Sequence, residues 1–338
     1  MTGLRILRTG PGTTLQDAGR RGWLRFGVTP AGPMDWIAHA TANLLAGNPA
    51  EAGCIECGPG GIELAAEDAP LRLGIAATGF DVAKDGAAFP ARSALTLHSR
   101  QRLTIRPGGD CVWAYVSVAG GFRFDAVMGS LSTHLRSGIG PLGGRALQTG
   151  DLLPCDTAPD AAPLALPDQA APRRIIRFVP GPQADAFTEQ AMTTFTTTDY
   201  TITPHSDRMG YRLSGQPLAH AKGHDIVSDG IAMGAIQVPG DSLPIVLMAD
   251  RQPTGGYPKI GTVIRADLPT LAQSRPGTPL RFTPATVDEA VAALRREVDA
   301  LAALPRQTRP LQSGPDLTKL ASGDHASGFI DARDGEDG

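Results

Sequence analysis

Short apolar runs with a two-residue period constrain the fold of this chain more than any other feature. Gly, Pro, Asp or Asn separates consecutive runs, and the 338 residues include 41 Gly and 29 Pro. Together these turn-favouring residues are nearly twice as frequent as in an average protein. Short strands joined by such turns are typical of β-sandwiches and β-barrels, so the sequence predicts a mainly-β fold. The runs lie at residues 4–7, 71–75, 94–97, 103–105, 112–118, 175–179, 245–248, 263–264 and 280–282.

Three segments have helical patterns instead, at residues 34–46, 185–195 and 286–304. The last begins with Thr286 and Glu289, a pair spaced as in a capping box. An apolar stripe follows at helical spacing, and we expect it to pack on the protein's own barrel rather than on a partner helix. The stripe consists of Val287, Val291, Leu294, Val298 and Leu301.

Composition along the chain predicts four regions. Residues 1–154 form a first β-rich subdomain, and residues 155–174, which are rich in Ala and Pro without periodicity, form a linker. Residues 175–304 form a second β-barrel subdomain that ends in a helix. Residues 305–338 are rich in Pro, Gly, Ser and Asp, and we expect a disordered tail.

Charge and hydropathy exclude two classes of partner. The net charge is −3 and Lys and Arg do not cluster, which argues against nucleic acid because phosphate contacts need grouped cations. No apolar run reaches the roughly 18 residues of a membrane span. The first residues lack the apolar centre of a signal peptide, so we expect a cytoplasmic protein.

Several familiar motifs lack the context that their chemistry needs. Cys54 and Cys57 form a lone CxxC, which we interpret as small strand residues because no second pair completes a zinc site. The glycines at 138, 140 and 143 match a dinucleotide motif, but Pro141 spoils the helix start that it needs. His220 and His224 stand beside Gly223 in a turn, and no third metal ligand accompanies them. The sequence also has no P-loop, and we assign no metal site to the chain.

Residues 244–273 carry the strongest functional signal. An apolar run from 245 to 249 gives way to a short polar loop that a core does not need. Two glycines in the loop allow close approach of a ligand to the backbone. Loop side chains are usually exposed, and we expect its cations to hold an anionic ligand. The loop contains Asp250, Arg251, Gln252, Gly255, Gly256, Tyr257 and Lys259.

A second Asp-Arg pair, Asp207–Arg208, precedes Tyr211. Each such pair could be a local ion pair in a turn. Two pairs in separate polar turns favour a shared pocket wall instead, in which Arg binds a carboxylate or phosphate in bidentate fashion. Asp could orient the Arg or act as a base. We expect Tyr211 and Tyr257 to line a barrel with their hydroxyls at its mouth.

One set of three polar residues and one single carboxylate also stand out in the first subdomain. Gln16, Asp17 and Arg20 lie among glycines and are candidates either for ligand contact or for capping a turn. Glu56 is a carboxylate inside an apolar, glycine-flanked strand, and its role is left open.

Four long blocks in this order resemble one family, the biotin-dependent carboxyltransferase-like proteins, also called allophanate hydrolase subunit 2 or KipA-like proteins. The first block is TLQDAGR at 14–20 with GVTPAGPMD at 27–35 and ANLLAGNP at 42–49. The second is VAGG at 118–121 with GGRAL at 143–147. The third is PGPQ at 180–183 with SDRMGYRL at 206–213. The fourth runs from SDG at 228–230 and GAIQVP at 234–239 into the 244–273 stretch.

The resemblance implies two cyclophilin-like β-barrel subdomains with a few helices. It also implies one subunit of a heteromeric enzyme, with a smaller KipI-like (allophanate hydrolase subunit 1-like) partner. One activity in the family is ATP-dependent opening of 5-oxo-L-proline to L-glutamate with a third, lactam-utilisation subunit, which uses ATP and Mg²⁺ in the complex. A second is carboxyl transfer to urea or a similar amide, which uses biotin on a separate carrier. A third, non-enzymatic role is a KipA-like antagonist of a sensor-kinase inhibitor.

Overall fold

Most of the regular secondary structure is β-strand. The structure is a computed structural model, and it describes residues 2–109, 111–167 and 173–311. Each run predicted from the two-residue period overlaps an observed strand, so the mainly-β class is confirmed. The α-helices are Trp36–Ala46, Glu189–Thr197, Leu268–Ala272 and Val287–Ala303. The 3-10 turns are Leu24–Phe26, Leu135–Ser137, Pro141–Gly144, Ala184–Ala186 and Leu304–Gln307. In the described ranges, no helix is both long and apolar enough to cross a membrane.

Two sheets form the first part of the chain and share one apolar core. One sheet contributes Leu4 and Ile62 to this core, and the other contributes Ile55 and Leu73. The six-stranded sheet has the order Leu152–Pro154, Gly3–Thr9, Ile62–Glu67, Arg102–Pro107, Phe80–Lys84 and Ala87–Phe89. The seven-stranded sheet has the order Thr14–Gln16, Cys54–Cys57, Ala114–Val118, Leu71–Ala76, Arg92–Leu97, Leu164–Ala165 and Arg309–Pro310.

The second part closes into a barrel of seven strands. Neighbouring strands are antiparallel except at the closure, where Ile176 lies opposite Phe282 in a parallel pair. Beside the barrel, Asp229–Gly230 and Thr254–Gly255 pair as a two-residue ribbon. The barrel order is Ile175–Pro180, Lys259–Val263, Ala235–Gln237, Ile245–Leu247, Gly210–Ser214, Asp199–Ile202 and Pro279–Pro284.

The helix Trp36–Ala46 packs on the seven-stranded sheet at unusually short range. Its first turn is capped by Asp35, whose Oδ1 accepts from the backbone N–H groups of Ile37 and Ala38. A Cβ at Gly74 would meet the carbonyl oxygen of Ala42 and lie 2.5 Å from the nitrogen of Ala46. Only glycine therefore allows the helix backbone to lie this close to the strand.

The helix Val287–Ala303 begins with the predicted capping box, which is confirmed. Its packing differs from the prediction, because Val287, Val291 and Val298 are 62%, 41% and 50% exposed. The helix meets the barrel through the small residue Ala293, which turns most of the valine stripe toward solvent.

Parts of the predicted linker and of the predicted tail form strands of the seven-stranded sheet. Leu164 pairs with Ala94 on one side and with Pro310 on the other, so residues from both regions extend the seven-stranded sheet. Residues 305–311 are thus structured, whereas we expected them to be disordered. Residues 168–172 of the predicted linker and 312–338 of the predicted tail lie outside the described residues.

The CxxC motif lies in the strand Cys54–Cys57, as predicted, and both thiols are buried and free. Burial raises the pKa of the Cys57 thiol to about 12. Within the described residues, no group of three or more His, Cys, Asp or Glu side chains could hold a metal ion.

Candidate functional site

Arg208 is the centre of a buried ionic network at the junction between the barrel and the first part of the chain. Its Nε and Nη2 donate to the two carboxylate oxygens of Asp250 at 2.9 and 2.8 Å. Its Nη1 donates to Glu56, and its Nη2 also donates to the carbonyl oxygen of Gly32 at 2.8 Å. All three ionic side chains are more than nine-tenths buried. A bidentate contact of this kind fixes both partners in orientation.

The sequence placed two Asp-Arg pairs in one pocket wall. In the structure, Arg208 of one pair binds Asp250 of the other pair. Arg208 binds Asp250 because the strands that adjoin them in sequence pair side by side, with Gly210 opposite Leu247. Asp207 is exposed, and its Oδ1 accepts from the backbone nitrogens of Met209 and Gly210 in its own turn. Neither Asp-Arg pair is therefore a local ion pair between sequence neighbours.

The network contains two carboxylates for one guanidinium. Burial raises the pKa of Glu56 above its ordinary value of 4.5, although Arg208 and the Tyr115 hydroxyl, which donates at 2.6 Å, oppose this effect. Burial would lower the pKa of Arg208, but the charges of Asp250 and Glu56 outweigh it and raise that pKa. Arg208 thus remains charged, while burial favours the protonated form of Glu56.

A cavity of about 660 Å³ lies against this network. On its wall, the Trp113 indole N–H donates to the Tyr211 hydroxyl at 3.2 Å, and that hydroxyl donates to the carbonyl oxygen of Ala272 at 2.8 Å. Burial raises the pKa of Tyr211, so the phenol stays protonated. The cavity thus combines an apolar wall with a fixed polar floor. Its lining includes Trp113, Asp207, Arg208, Tyr211 and Asp250.

Gln16 connects two loops that contact the Arg208 network. Its Oε1 accepts from the N–H of Gly32 at 3.1 Å, and its Nε2 donates to the carbonyl oxygen of Thr133 at 2.8 Å. Gly32 accepts from Arg208, and Nε2 of His134, the residue after Thr133, lies 3.4 Å from the carbonyl oxygen of Asp250. Gln16 therefore acts in this structure as a positioning residue.

Asp17 and Arg20 hold the same region. Hydroxyls of Ser130 and Ser132 each donate to Asp17 at 2.6 Å. Burial would raise the pKa of Asp17, but these hydrogen bonds outweigh it and lower that pKa. Arg20 is fully buried and donates to the carbonyl oxygens of Val127 and Ser132 at 3.0 and 2.7 Å. Asp17 and Arg20 both bind backbone groups or hydroxyls of the protein itself. These contacts favour a role in holding the turn over contact with a ligand.

Arg251 and Lys259 are buried, contrary to the expectation of exposed loop cations. They are 8% and 5% exposed, because the loop folds back onto the barrel end. The Arg251 Nε donates to the carbonyl oxygen of Ile231 at 3.0 Å, and burial lowers the pKa of Arg251. The Lys259 Nζ lies 3.1 Å from Asp229 Oδ2.

The remaining loop residues lie near Lys259, and none of them lines the Arg208 cavity. A Cβ at Gly255 would lie 2.8 Å from Gln237 Nε2 and 3.6 Å from Gln252 Nε2, so this glycine lets two amide side chains approach the backbone. A Cβ at Gly256 would lie 3.2 Å from the carbonyl oxygen of Ile226. Tyr257 is 40% exposed. The predicted site thus divides into the Arg208 network and a Lys259 cluster.

Sequence reasoning missed the residues that connect the helix Trp36–Ala46 to the barrel. The Gln273 Nε2 donates to Asp35 Oδ2 at 2.9 Å, and its Oε1 accepts from the backbone nitrogens of Val112 and Trp113. Asp35 had a detectable signal, because Asp before an apolar helical run is a typical N-cap. Gln273 had none, since its partners are distant in the sequence.

We expect Glu56→Gln to gain stability relative to the wild type as the pH rises. A raised pKa in the folded state favours folding below the unfolded value of 4.5, and this contribution is lost as the pH rises through the folded pKa. Glutamine does not titrate, so the variant avoids this loss. Urea unfolding of both proteins between pH 5 and 8 measures the difference.

Glu67→Gln is the matched control, because the pKa of Glu67 is shifted in the opposite direction to that of Glu56. Arg5 lowers the pKa of Glu67, so its contribution is present at high pH and is lost as the pH falls. The Glu67 variant should therefore lose stability relative to the wild type only as the pH rises toward 4.5, and its difference from the wild type should stay flat between pH 5 and 8. A flat or falling difference for Glu56→Gln would contradict the raised pKa.

The fold is that of a carboxyltransferase-type domain. The family model for the carboxyltransferase domain, subdomain A and B, matches residues 26–284, and the chain belongs to this family. It is 37% identical to a 5-oxoprolinase subunit of Escherichia coli (strain K12) over 86% of this chain and 94% of that protein. It is 29% identical to a putative urea carboxylase of Emericella nidulans over 94% of this chain but 27% of that protein.

The solved structure of TTHA0988 has the same fold. The two superpose with a TM-score of 0.77 at 31% identity, over 84% of this chain. This chain spans 56% of that longer chain. The homology to the Escherichia coli 5-oxoprolinase subunit connects the chain with an enzyme complex.

Proposed function

We propose that this chain is the equivalent subunit of an ATP-dependent 5-oxoprolinase, which opens 5-oxo-L-proline to L-glutamate. The observation that carries the proposal is the 37% identity to the Escherichia coli protein over 94% of its length. A match that spans nearly a whole subunit supports a shared role more strongly than a match to one domain of a long enzyme.

The cavity beside Arg208 is our candidate for the substrate pocket of this protein. Arg208 uses most of its donors on Asp250, Glu56 and a backbone carbonyl, so we assign it the role of positioning the wall. Asp207 is exposed on that wall and binds only backbone N–H groups of its own turn. We therefore propose Asp207 as the carboxylate that faces the substrate and accepts a proton.

ATP belongs to the assembled complex in this proposal. A lactam carbonyl is a poor electrophile, and phosphorylation of its oxygen supplies a leaving group. The described residues form neither a glycine-rich loop that opens a helix beside a Lys and a Ser or Thr, nor an acidic cluster for Mg²⁺. These residues do not fit Mg-ATP.

We propose a smaller, KipI-like protein and a third subunit as partners. Trp23, Leu24 and Phe26 lie on one short turn and are 36%, 41% and 62% exposed. Grouped exposed apolar side chains mark interaction surfaces, which supports a partner at this turn. TTHA0988, of which this chain spans 56%, shows that this domain also occurs within a longer chain.

The alternative function is carboxyl transfer to urea or a similar amide, with biotin supplied by a separate carrier. The 29% identity to a putative urea carboxylase over 94% of this chain favours it. That match covers only 27% of the urea carboxylase, which makes this function the second choice.

We expect the purified chain alone to release no glutamate from 5-oxo-L-proline. The complex with both partner subunits should release it in proportion to ATP hydrolysis. Coupled assays of ADP and glutamate measure both products. A complex lacking this chain is the control, and robust turnover by the single chain would contradict the shared site. Carboxylation of urea by the complex, without glutamate release, would favour the alternative.

A further inference from the structure

Among the described residues that line the cavity beside Arg208, four carry charge, and two of these neutralise each other. Arg208 binds Asp250 in bidentate fashion and also donates to Glu56. The other two charged residues are Arg136 and Asp207. Asp207 accepts from backbone N–H groups of its own turn. A ligand in this cavity therefore meets one guanidinium and one carboxylate that are not already paired with each other's kind.

Arg136 keeps its donors available for a ligand. Its Nη1 lies 2.7 Å from the sulfur of Met209, and a thioether is a weak acceptor. In the described part of the chain, no carboxylate forms an ion pair with this guanidinium. Its N–H groups form a planar fork that matches the two oxygens of a carboxylate. A ligand carboxylate would thus replace the sulfur contact without breaking an existing ion pair.

The backbone that carries Arg136 is held in place on the cavity wall. Arg136 is exposed and lies on the short turn Leu135–Ser137. Across this turn, the N–H of His134 donates to the carbonyl oxygen of Ile139 at 2.8 Å. The His134 Nε2 lies 3.4 Å from the carbonyl oxygen of Asp250. The turn is therefore attached to the ionic network of the cavity, and only the Arg136 side chain is free to move.

The charges on the wall select a ligand with a single negative charge. Since Arg208 and Asp250 neutralise each other, a monoanion matches the one guanidinium of Arg136. A phosphate dianion would bring a second negative charge close to Asp207, which repels it. A contact between Arg and a carboxylate can be bidentate, which fixes orientation as well as adding affinity. The wall therefore fits a carboxylate on an otherwise neutral molecule.

We propose that Arg136 binds the carboxylate of the substrate and thereby selects a carboxylated lactam in the Arg208 cavity. In 5-oxo-L-proline, the carboxylate and the lactam carbonyl lie on opposite sides of the ring nitrogen. Arg136 neutralises the anionic end, and the carbonyl end extends into the cavity toward Asp207. This role deepens the proposed function and rests on it for the choice of 5-oxo-L-proline. It also bears on the alternative, because urea itself has no carboxylate for Arg136 to bind.

Two matched probes test this contact in the complex with both partner subunits. They are 5-oxo-L-proline and its primary amide, in which a neutral carboxamide replaces the carboxylate. Calorimetric titration should show that Arg136→Gln weakens binding of the acid by about tenfold to a hundredfold, because a charge-assisted hydrogen bond is lost. The amide should bind the wild type and the variant equally. Arg136→Lys should retain part of the affinity for the acid, since an ammonium keeps the charge but not the fork.

Steady-state kinetics of the same complex separate binding from catalysis. Arg136 contacts a group that does not react, so Arg136→Gln should raise the KM for 5-oxo-L-proline and leave kcat near the wild-type value. Asp207→Asn removes the proposed proton acceptor and should instead lower kcat.

Arg295→Gln is the matched control. Arg295 is exposed on the helix Val287–Ala303 and lies outside the cavity lining. This variant should change neither the affinity for the two probes nor the KM. Arg136→Gln and Arg295→Gln should both keep the wild-type unfolding midpoint, because both side chains are exposed.

Equal affinity of the wild-type complex for the acid and the amide would overturn the role of Arg136, as would equal losses for both probes in Arg136→Gln. Inorganic phosphate is a third probe, and Arg136-dependent binding of phosphate that is tighter than binding of the acid would overturn the assignment to a carboxylate. Arg136-dependent binding of the acid without ATP-dependent glutamate release would uphold the role and contradict the proposed function. Normal glutamate release with an unchanged KM in Arg136→Gln would do the reverse. Absence of any binding of the acid to the wild-type complex would overturn both.

Discussion

Arg208→Met is expected to destabilise the protein by about 3–5 kcal/mol, the usual cost of removing one partner of a buried ionic network. The substitution leaves Glu56 and Asp250 buried without their shared cation and the carbonyl oxygen of Gly32 without its donor. Because the network joins the barrel to the first part of the chain, the loss should appear in global unfolding. Urea titration followed by circular dichroism measures it.

Arg212→Met is the control, because Arg212 lies four residues away with an exposed side chain. It should change stability by no more than about 0.5 kcal/mol. The triple variant Arg208→Met with Glu56→Gln and Asp250→Asn removes the stranded charges and should regain part of the loss. If Arg208→Met is as stable as the control, or the triple variant regains nothing, the network does not stabilise the junction.

Gly74→Ala is expected to cost about 3 kcal/mol, the upper part of the range for overpacking a core. The new methyl group would meet the carbonyl oxygen of Ala42 and lie 2.5 Å from the nitrogen of Ala46. Both are backbone atoms of the helix Trp36–Ala46, which cannot move aside as a flexible side chain can. The thermal unfolding midpoint should fall markedly.

Gly58→Ala provides the comparison for Gly74→Ala. At Gly58 the nearest atom to a Cβ belongs to Trp113 and is 3.5 Å away, which is ordinary contact. This variant should unfold close to the wild-type midpoint. Similar midpoints for both glycine variants would show that the helix has room to shift away from the sheet.

The sequence predicted the local features of the fold and missed those that depend on distant pairing. Thr286 and Glu289 predicted a helix start correctly because a capping box is formed within one turn. The exposed valines of that helix were placed wrongly, because helical spacing shows which residues share a face but not which face meets the barrel. In the same way, nothing near residue 305 indicates that Arg309–Pro310 joins a sheet with Leu164–Ala165.

The candidate site was predicted as a set of residue types rather than as an arrangement. Arg208 and Asp250 do meet, because each follows or precedes a strand of the same barrel. The third member, Glu56, comes from another sheet and could be noticed only as a carboxylate in an apolar strand. Arg251 and Lys259 were expected to be exposed because loops usually are, but this loop folds against the barrel end and buries both.

The pairing of Leu164–Ala165 with Arg309–Pro310 determines when the seven-stranded sheet can be completed during synthesis of the chain. The strand Leu164–Ala165 emerges long before residues 309–310, which follow the entire barrel in synthesis. Until then one edge of the seven-stranded sheet has unpaired backbone groups, and such edges recruit strands from other chains. During translation, a polysome holds many copies of this open edge close together. Slow or interrupted synthesis of the barrel should therefore favour aggregation of the nascent chains over misfolding of the barrel itself.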